Sequence, residues 1–136
     1  MEHRDDPLRM RDRLWEEAAQ PEGAWVTVFG DSMLPTLAPG ARVRVRAKPP
    51  RLGDVIAFAT ADGSRTVLHR VIACAPGVPW IVQAGDCQRR DEDLGIIRRE
   101  QVIGVAELPR RLPSPRACWA AARALAAAVG RRMRRR

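Results

Sequence analysis

The chain has 136 residues, about one domain's worth, and 46% of them are apolar, enough for a modest core. It carries 24 Lys and Arg against 16 Asp and Glu, yet every acid precedes Pro109 and nine arginines with no acid follow it. The body is therefore nearly neutral, at fifteen basic against sixteen acidic residues, and the net +8 belongs to the tail. Three cysteines without paired spacing, two histidines and no Cys-x-x-Cys point to reduced thiols in a cytoplasmic protein and argue against a zinc site; no cofactor is expected.

Residues 7 to 19 read as one helix, with Leu8, Leu14, Trp15 and Ala18 on its apolar face. An apolar run, Trp25-Val26-Thr27-Val28-Phe29, then leads into Gly30-Asp31-Ser32-Met33-Leu34-Pro35-Thr36-Leu37. Gly30 can take backbone angles closed to other residues, so the chain can turn as it leaves the strand. Pro35 lacks an N–H and biases Leu34 away from helix, so any helix through Ser32 is very short. Met33 is suited to anchoring this bend on a core or lining a groove. Taken alone, Gly-Asp-Ser reads as an ordinary turn whose serine caps the backbone.

Further along, Val43 and Val45 share one face of a strand while Arg42, Arg44 and Arg46 point the other way. Asp62-Gly63 signals a hairpin between Val55–Ala59 and Thr66–Ile72, and the second of these strands carries His69 in its middle. Pro76-Gly77 turns the chain into Trp80–Gln83, and Gln101–Leu108 closes the set before Pro109. Short strands separated by Gly, Pro and Asp turns predict a mostly β, coiled antiparallel domain with a short helix before it and an Ala/Arg-rich helix after it.

Segment by segment, the stretch from Gly30 to Thr36 resembles the Ser-Met-x-Pro-Thr box of the signal peptidase and LexA-type superfamily of serine peptidases. Pro39-Gly40 with Val43 and Val45 resembles the turn and strand after that family's nucleophile, and Leu52-Gly53-Asp54-Val55-Ile56-Ala57-Phe58 its Gly-Asp-Ile-Val-Phe box. Val67-Leu68-His69-Arg70-Val71-Ile72 resembles the His-Arg-Val box of the Ser-His signal peptidases of the endoplasmic reticulum and archaea. Gly85-Asp86, Asp91-Glu92-Asp93 and Val102-Ile103-Gly104 resemble the closing acidic box and last strand. One such box is weak; five in order, over roughly residues 24 to 108, are specific.

The resemblance implies a β-domain of the LexA/signal peptidase type and a serine endopeptidase acting on an extended peptide beside small residues. Ser32 is then the nucleophile. A hydroxyl needs a base, and the lysine that serves in bacterial relatives has no counterpart, because the single lysine, Lys48, lies before the Gly-Asp box in a turn. The matching position holds His69, whose imidazole accepts a proton near neutral pH without the desolvation a lysine requires. A carboxylate is expected to orient His69. Asp86, Asp91, Glu92 and Asp93 are the candidates, with Asp91 and Glu92 foremost and Asp86 better suited to shaping the turn and the floor of the site. Met33 and Pro35, next to the nucleophile, are the candidates for substrate contact. The Ser32 N–H is the natural oxyanion donor, while Gly30 stands where some relatives supply a hydroxyl and Asp31 adds a negative charge nearby.

This reading divides the chain into a helical lead-in, 1–23, a catalytic β-domain, 24–108, and a basic tail, 109–136. The lead-in is too polar for a secretory signal or membrane anchor and too short for a helix-turn-helix. The Ala-rich stretch of the tail is interrupted by Arg123 and falls short of the roughly 20 residues that span a bilayer. Three roles are open to residues 116–136: a surface helix on anionic lipid, a nucleic-acid contact as the lesser expectation, and a solubilising tail without a partner. Two further readings stand beside the peptidase: a peptide-binding module that kept the fold and lost catalysis, and a protein that cuts itself, for which Ala18-Ala19, Ala73-Cys74 and the tail offer small-residue sites.

Overall fold

The computed structural model describes residues 7–87, 94–112 and 115–135. The lead-in helix α1 covers Pro7–Ala18. Leu14 and Ala18 are buried and Trp15 packs beside them, as the helical period requires; the Leu8 side chain lies outside the described residues. The indole N–H of Trp15 donates to the Val102 carbonyl at 3.0 Å, tying this helix to the start of the last strand.

Among the described residues seven strands follow: β1 Ala24–Thr27, β2 Arg42–Arg46, β3 Val55–Ala59, β4 Thr66–Ala73, β5 Trp80–Ala84, β6 Gly95–Arg98 and β7 Val102–Ala106. They form one sheet, in the order β1-β2-β7-β3-β4-β5-β6, and every neighbouring pair is antiparallel. Val43 and Val45 of β2 are buried while its arginines face outward, as their alternation predicts. All five residues of β3 are buried. That follows from its place between β4 and β7 with both faces covered, and explains why it reads as a continuous apolar run.

The link from β3 to β4 is longer than a two-residue hairpin. Thr60 and Arg65 still pair through their backbones, and only Gly63, at φ 73°, enters the left-handed region. The Asp62 carboxylate accepts from the Ser64 N–H and from the Thr60 and Ser64 hydroxyls, and these bonds take its pKa down to about 2. Register shifts at Ala57/Phe58 and Val71/Ala73 bend the sheet.

The two faces of β3 feed two different cores. Val55, Ala57 and Ala59 join a cluster with α1, Val26, Val43, Met33 and Leu68; Ile56 and Phe58 join another with Val71, Ile81, Ile97 and Val105. The tail is ordered as a helix, α2, Pro115–Met133. Ala121 is fully buried and packs with Leu125 against Ile72 and Val82, so this helix covers part of β4 and β5. Among the described residues no helix is long and apolar enough to cross a membrane.

Candidate active site

The backbone continues the β1 pairing through Val28, whose N–H donates to Ala41, and then turns at Gly30, φ 78°. Nothing crowds the missing Cβ of Gly30, so backbone conformation alone demands the glycine. Two bonds close the following turn, Leu34 N–H to the Asp31 carbonyl at 3.1 Å and Leu37 N–H to the Met33 carbonyl at 2.9 Å; the Leu34–Pro35 peptide is cis. Met33 and Leu37 are buried in the first core. These two anchors leave Ser32 half-buried at the surface and Asp31 exposed.

Gly85 receives the turn that carries Ser32. The last pair of β4 and β5 is Arg70 with Ala84, so Gly85 lies across from His69 with no side chain to fill that face. A Cβ there would lie 2.4 Å from the Ser32 carbonyl oxygen. That same oxygen accepts from the Cys87 N–H at 2.8 Å. Ser32 thus sits in the space a glycine leaves open, and its Oγ lies 3.2 Å from His69 Nε2.

His69 is 8% exposed, with the ring of Phe58 edge-on at 6.0 Å. Its other nitrogen, Nδ1, is 2.5 Å from Gln83 Oε1. An amide oxygen only accepts, so Nδ1 carries the hydrogen and the Nε2 lone pair faces the serine. The order is Ser32–His69–Gln83, a hydroxyl, a base and a neutral orienting group. Gly95 makes room for the third member, since a Cβ there would lie 2.7 Å from Gln83 Nε2. Among the described residues none accepts a hydrogen bond from the Ser32 N–H, which leaves that donor available to an oxyanion.

The structure corrects the role considered for Asp86. Its carboxylate accepts two hydrogen bonds from Arg70, both 2.8 Å, and one from the Thr36 hydroxyl, while Arg70 Nη1 donates to the Gly53 carbonyl at 2.8 Å. It therefore does not orient His69. Strand alternation is the reason: His69 and Arg70 are consecutive and face opposite sides, and Gln83 and Asp86 are an odd number apart. Val71 opposes Gln83 and Arg70 opposes Ala84, so the His69 face receives Gln83 and the Arg70 face receives Asp86. Burial pushes the Asp86 pKa up, but the hydrogen bonds from Arg70 and Thr36 and the charges of Arg70 and Arg111 outweigh it and hold the carboxyl below its ordinary range. This ion pair ties the Ser32 turn, β4 and the loop before β3 together.

Asp91, Glu92 and Asp93 lie outside the described residues. Met33 is 1% exposed, chiefly a core anchor, although it also lines the groove beside Ser32. Pro35 is exposed and does not line that groove. Lys48 lines a separate recess with Asp54 and Arg110. The sequence reading missed Gln83; its signal was a polar residue closing the apolar strand Trp80-Ile81-Val82, two positions before Gly85. The groove runs from Ser32 between Val26–Phe29 and Arg65–Leu68. No protein-family model, no curated protein and no solved structure matches the chain.

Proposed function

We propose that this chain is a serine endopeptidase with a coiled sheet of the LexA/signal peptidase type, cutting an extended peptide after small residues. The observation that carries the reading is the line of Ser32, His69 and Gln83, with 3.2 Å between hydroxyl and base and 2.5 Å between base and amide. Ser32 Oγ attacks the scissile carbonyl carbon as His69 Nε2 takes the hydroxyl proton. The carbonyl oxygen becomes an oxyanion facing the Ser32 N–H. Collapse breaks the C–N bond, the imidazolium returns its proton to the leaving amine, and an ester remains on Ser32. Water then attacks the ester, losing a proton to Nε2, and the acid departs as Ser32 recovers its hydrogen. Gln83 accepts the Nδ1 hydrogen throughout, so the ring needs no rearrangement between steps.

The groove supports an extended substrate. Among the described residues β1 has no strand on its outer side; Val28 is already paired with Gly40 and Ala41, so the outward-facing backbone of Thr27 is the part of this edge that can take up a peptide by strand addition. Val26, Val28 and Leu68 give the walls an apolar lining. Cleavage in trans is favoured over self-cleavage: Ala18 is buried at the end of α1, Ala73 closes β4 and the Ala-rich tail is wound into α2, and none is an extended free segment.

A mixed peptide library digested by the purified chain and read by mass spectrometry tests this. Cuts after small residues should appear with the wild type and vanish in both Ser32→Ala and His69→Ala. A wild type that cuts nothing, or cuts that persist in Ser32→Ala, would sink the peptidase reading and leave the peptide-binding module.

A further inference from the structure

Helix α2 has two unlike faces. Ala121 and Leu125 fasten the inner one to the sheet. The outer one, at spacings of three and four residues, carries Arg116, Trp119 and Arg123, all exposed, and exposed Arg134 follows just past its end. Trp119 is 69% exposed, with Leu112 at 77% and Met133 at 74% toward the two ends of the same segment. The other three tryptophans are each covered by a guanidinium: Arg11 over Trp15, Arg42 and Arg44 over Trp25, Arg98 over Trp80. Trp119 has arginines one turn away on either side, yet among the described residues none lies over its ring. No acid follows Pro109 to neutralise the surface.

We infer that α2 docks the protein on an anionic phospholipid surface, with Trp119 entering the headgroup boundary and the arginines meeting lipid phosphates. The indole is apolar with one donor, which suits that boundary. Exposed Ala120, Ala126 and Ala127 lie among the arginines and add apolar area without the amide or hydroxyl side chains that contact nucleic acids. That combination favours lipid over a nucleic acid. Inward Ala121 and Leu125 keep the helix on the sheet while its outer face binds, so docking requires no unfolding. The proposal does not depend on the peptidase reading and survives an inert Ser32.

The test is sedimentation of the full chain with vesicles of phosphatidylcholine mixed with phosphatidylglycerol, with phosphatidylcholine alone, and titration of duplex DNA and single-stranded RNA in the same buffer. Binding is expected to the mixed vesicles and not to phosphatidylcholine. Arg116→Gln and Arg123→Gln should each weaken it about fivefold, the equivalent of about 1 kcal/mol per basic residue near an anionic surface. Trp119→Ala should weaken it while leaving its salt dependence unchanged. These residues are exposed, so thermal unfolding should match the wild type. No sedimentation with the mixed vesicles, equal binding to phosphatidylcholine alone, variants that bind like the wild type, or tighter binding to nucleic acid would each overturn the proposal.

Discussion

Replacing Gln83 by Ala removes the partner of His69 Nδ1 and probes the least expected member of the site. Gln83 is 6% and His69 8% exposed, so water does not readily substitute for the lost oxygen, and an orphaned buried N–H costs about 1–3 kcal/mol. The ring also loses what holds its hydrogen on Nδ1 and its lone pair on Ser32. At about 1.4 kcal/mol per factor of ten, a loss of about 2–3 kcal/mol of positioning predicts kcat roughly 100-fold lower with KM nearly unchanged. Gln83→Glu keeps an acceptor and adds a charge. The carboxylate favours the imidazolium, so less free base is present at a given pH and the acidic limb of kcat/KM should move to higher pH. Gly95→Ala attacks the same amide from behind, because its Cβ would lie 2.7 Å from Nε2. The obstacle is the end of a flexible side chain, so Tm should change little while kcat falls with that of Gln83→Ala. The assay is steady-state cleavage of a fluorogenic peptide drawn from the library hits, across pH. Wild-type kcat and pH profile in Gln83→Ala, with His69→Ala inactive, would refute the orienting role.

Gly85→Ala should harm both stability and rate: the new Cβ would lie 2.4 Å from the Ser32 carbonyl oxygen, a backbone atom with no room to yield. A loss of about 1–3 kcal/mol in chemical denaturation is expected, with cleavage down about 100-fold as the nucleophile shifts. Asp86→Asn leaves the Arg70 guanidinium, 5% exposed, without its counter-charge and should cost about 3 kcal/mol at neutral pH, read as a lower midpoint in urea. The depressed Asp86 pKa fixes the sign of the pH effect. Its stabilisation is complete above the unfolded carboxyl pKa of about 3.9 and is lost as pH falls through the lower folded value. The gap between wild type and Asp86→Asn should therefore close in acid, and a gap that stays constant down to the acid transition would contradict it.

The neutral third member bears on how the proposed chemistry would run. A carboxylate there would stabilise the imidazolium by charge; an amide orients the ring and leaves that stabilisation to other groups. The nearby half-buried carboxylate, Asp86, is committed to Arg70 and Thr36 on the opposite face. Electrostatics that shape the site are thus kept apart from the base that would act in it, with rigidity on one face of β4 and proton transfer on the other.

Local features of this molecule were legible in the sequence because they depend on near neighbours. The period of Leu14, Trp15 and Ala18 marked α1, the alternation around Val43 and Val45 marked β2, and Gly30 with Pro35 marked the turn that bears Ser32. β6 escaped notice because Gly95-Ile96-Ile97-Arg98 is short and becomes a strand by pairing with β5. The place of β7 between β2 and β3 could not be read either, since strand order depends on burial of faces brought together from distant parts of the chain. Near neighbours alone placed the Ser32 turn and the His69 strand. Which polar group met that histidine was decided only when Val71 paired with Gln83 and Arg70 with Ala84. One residue of slip would have turned Gln83 away and brought the other face of β5 to the base, because side chains alternate along a strand and register chooses which face they share.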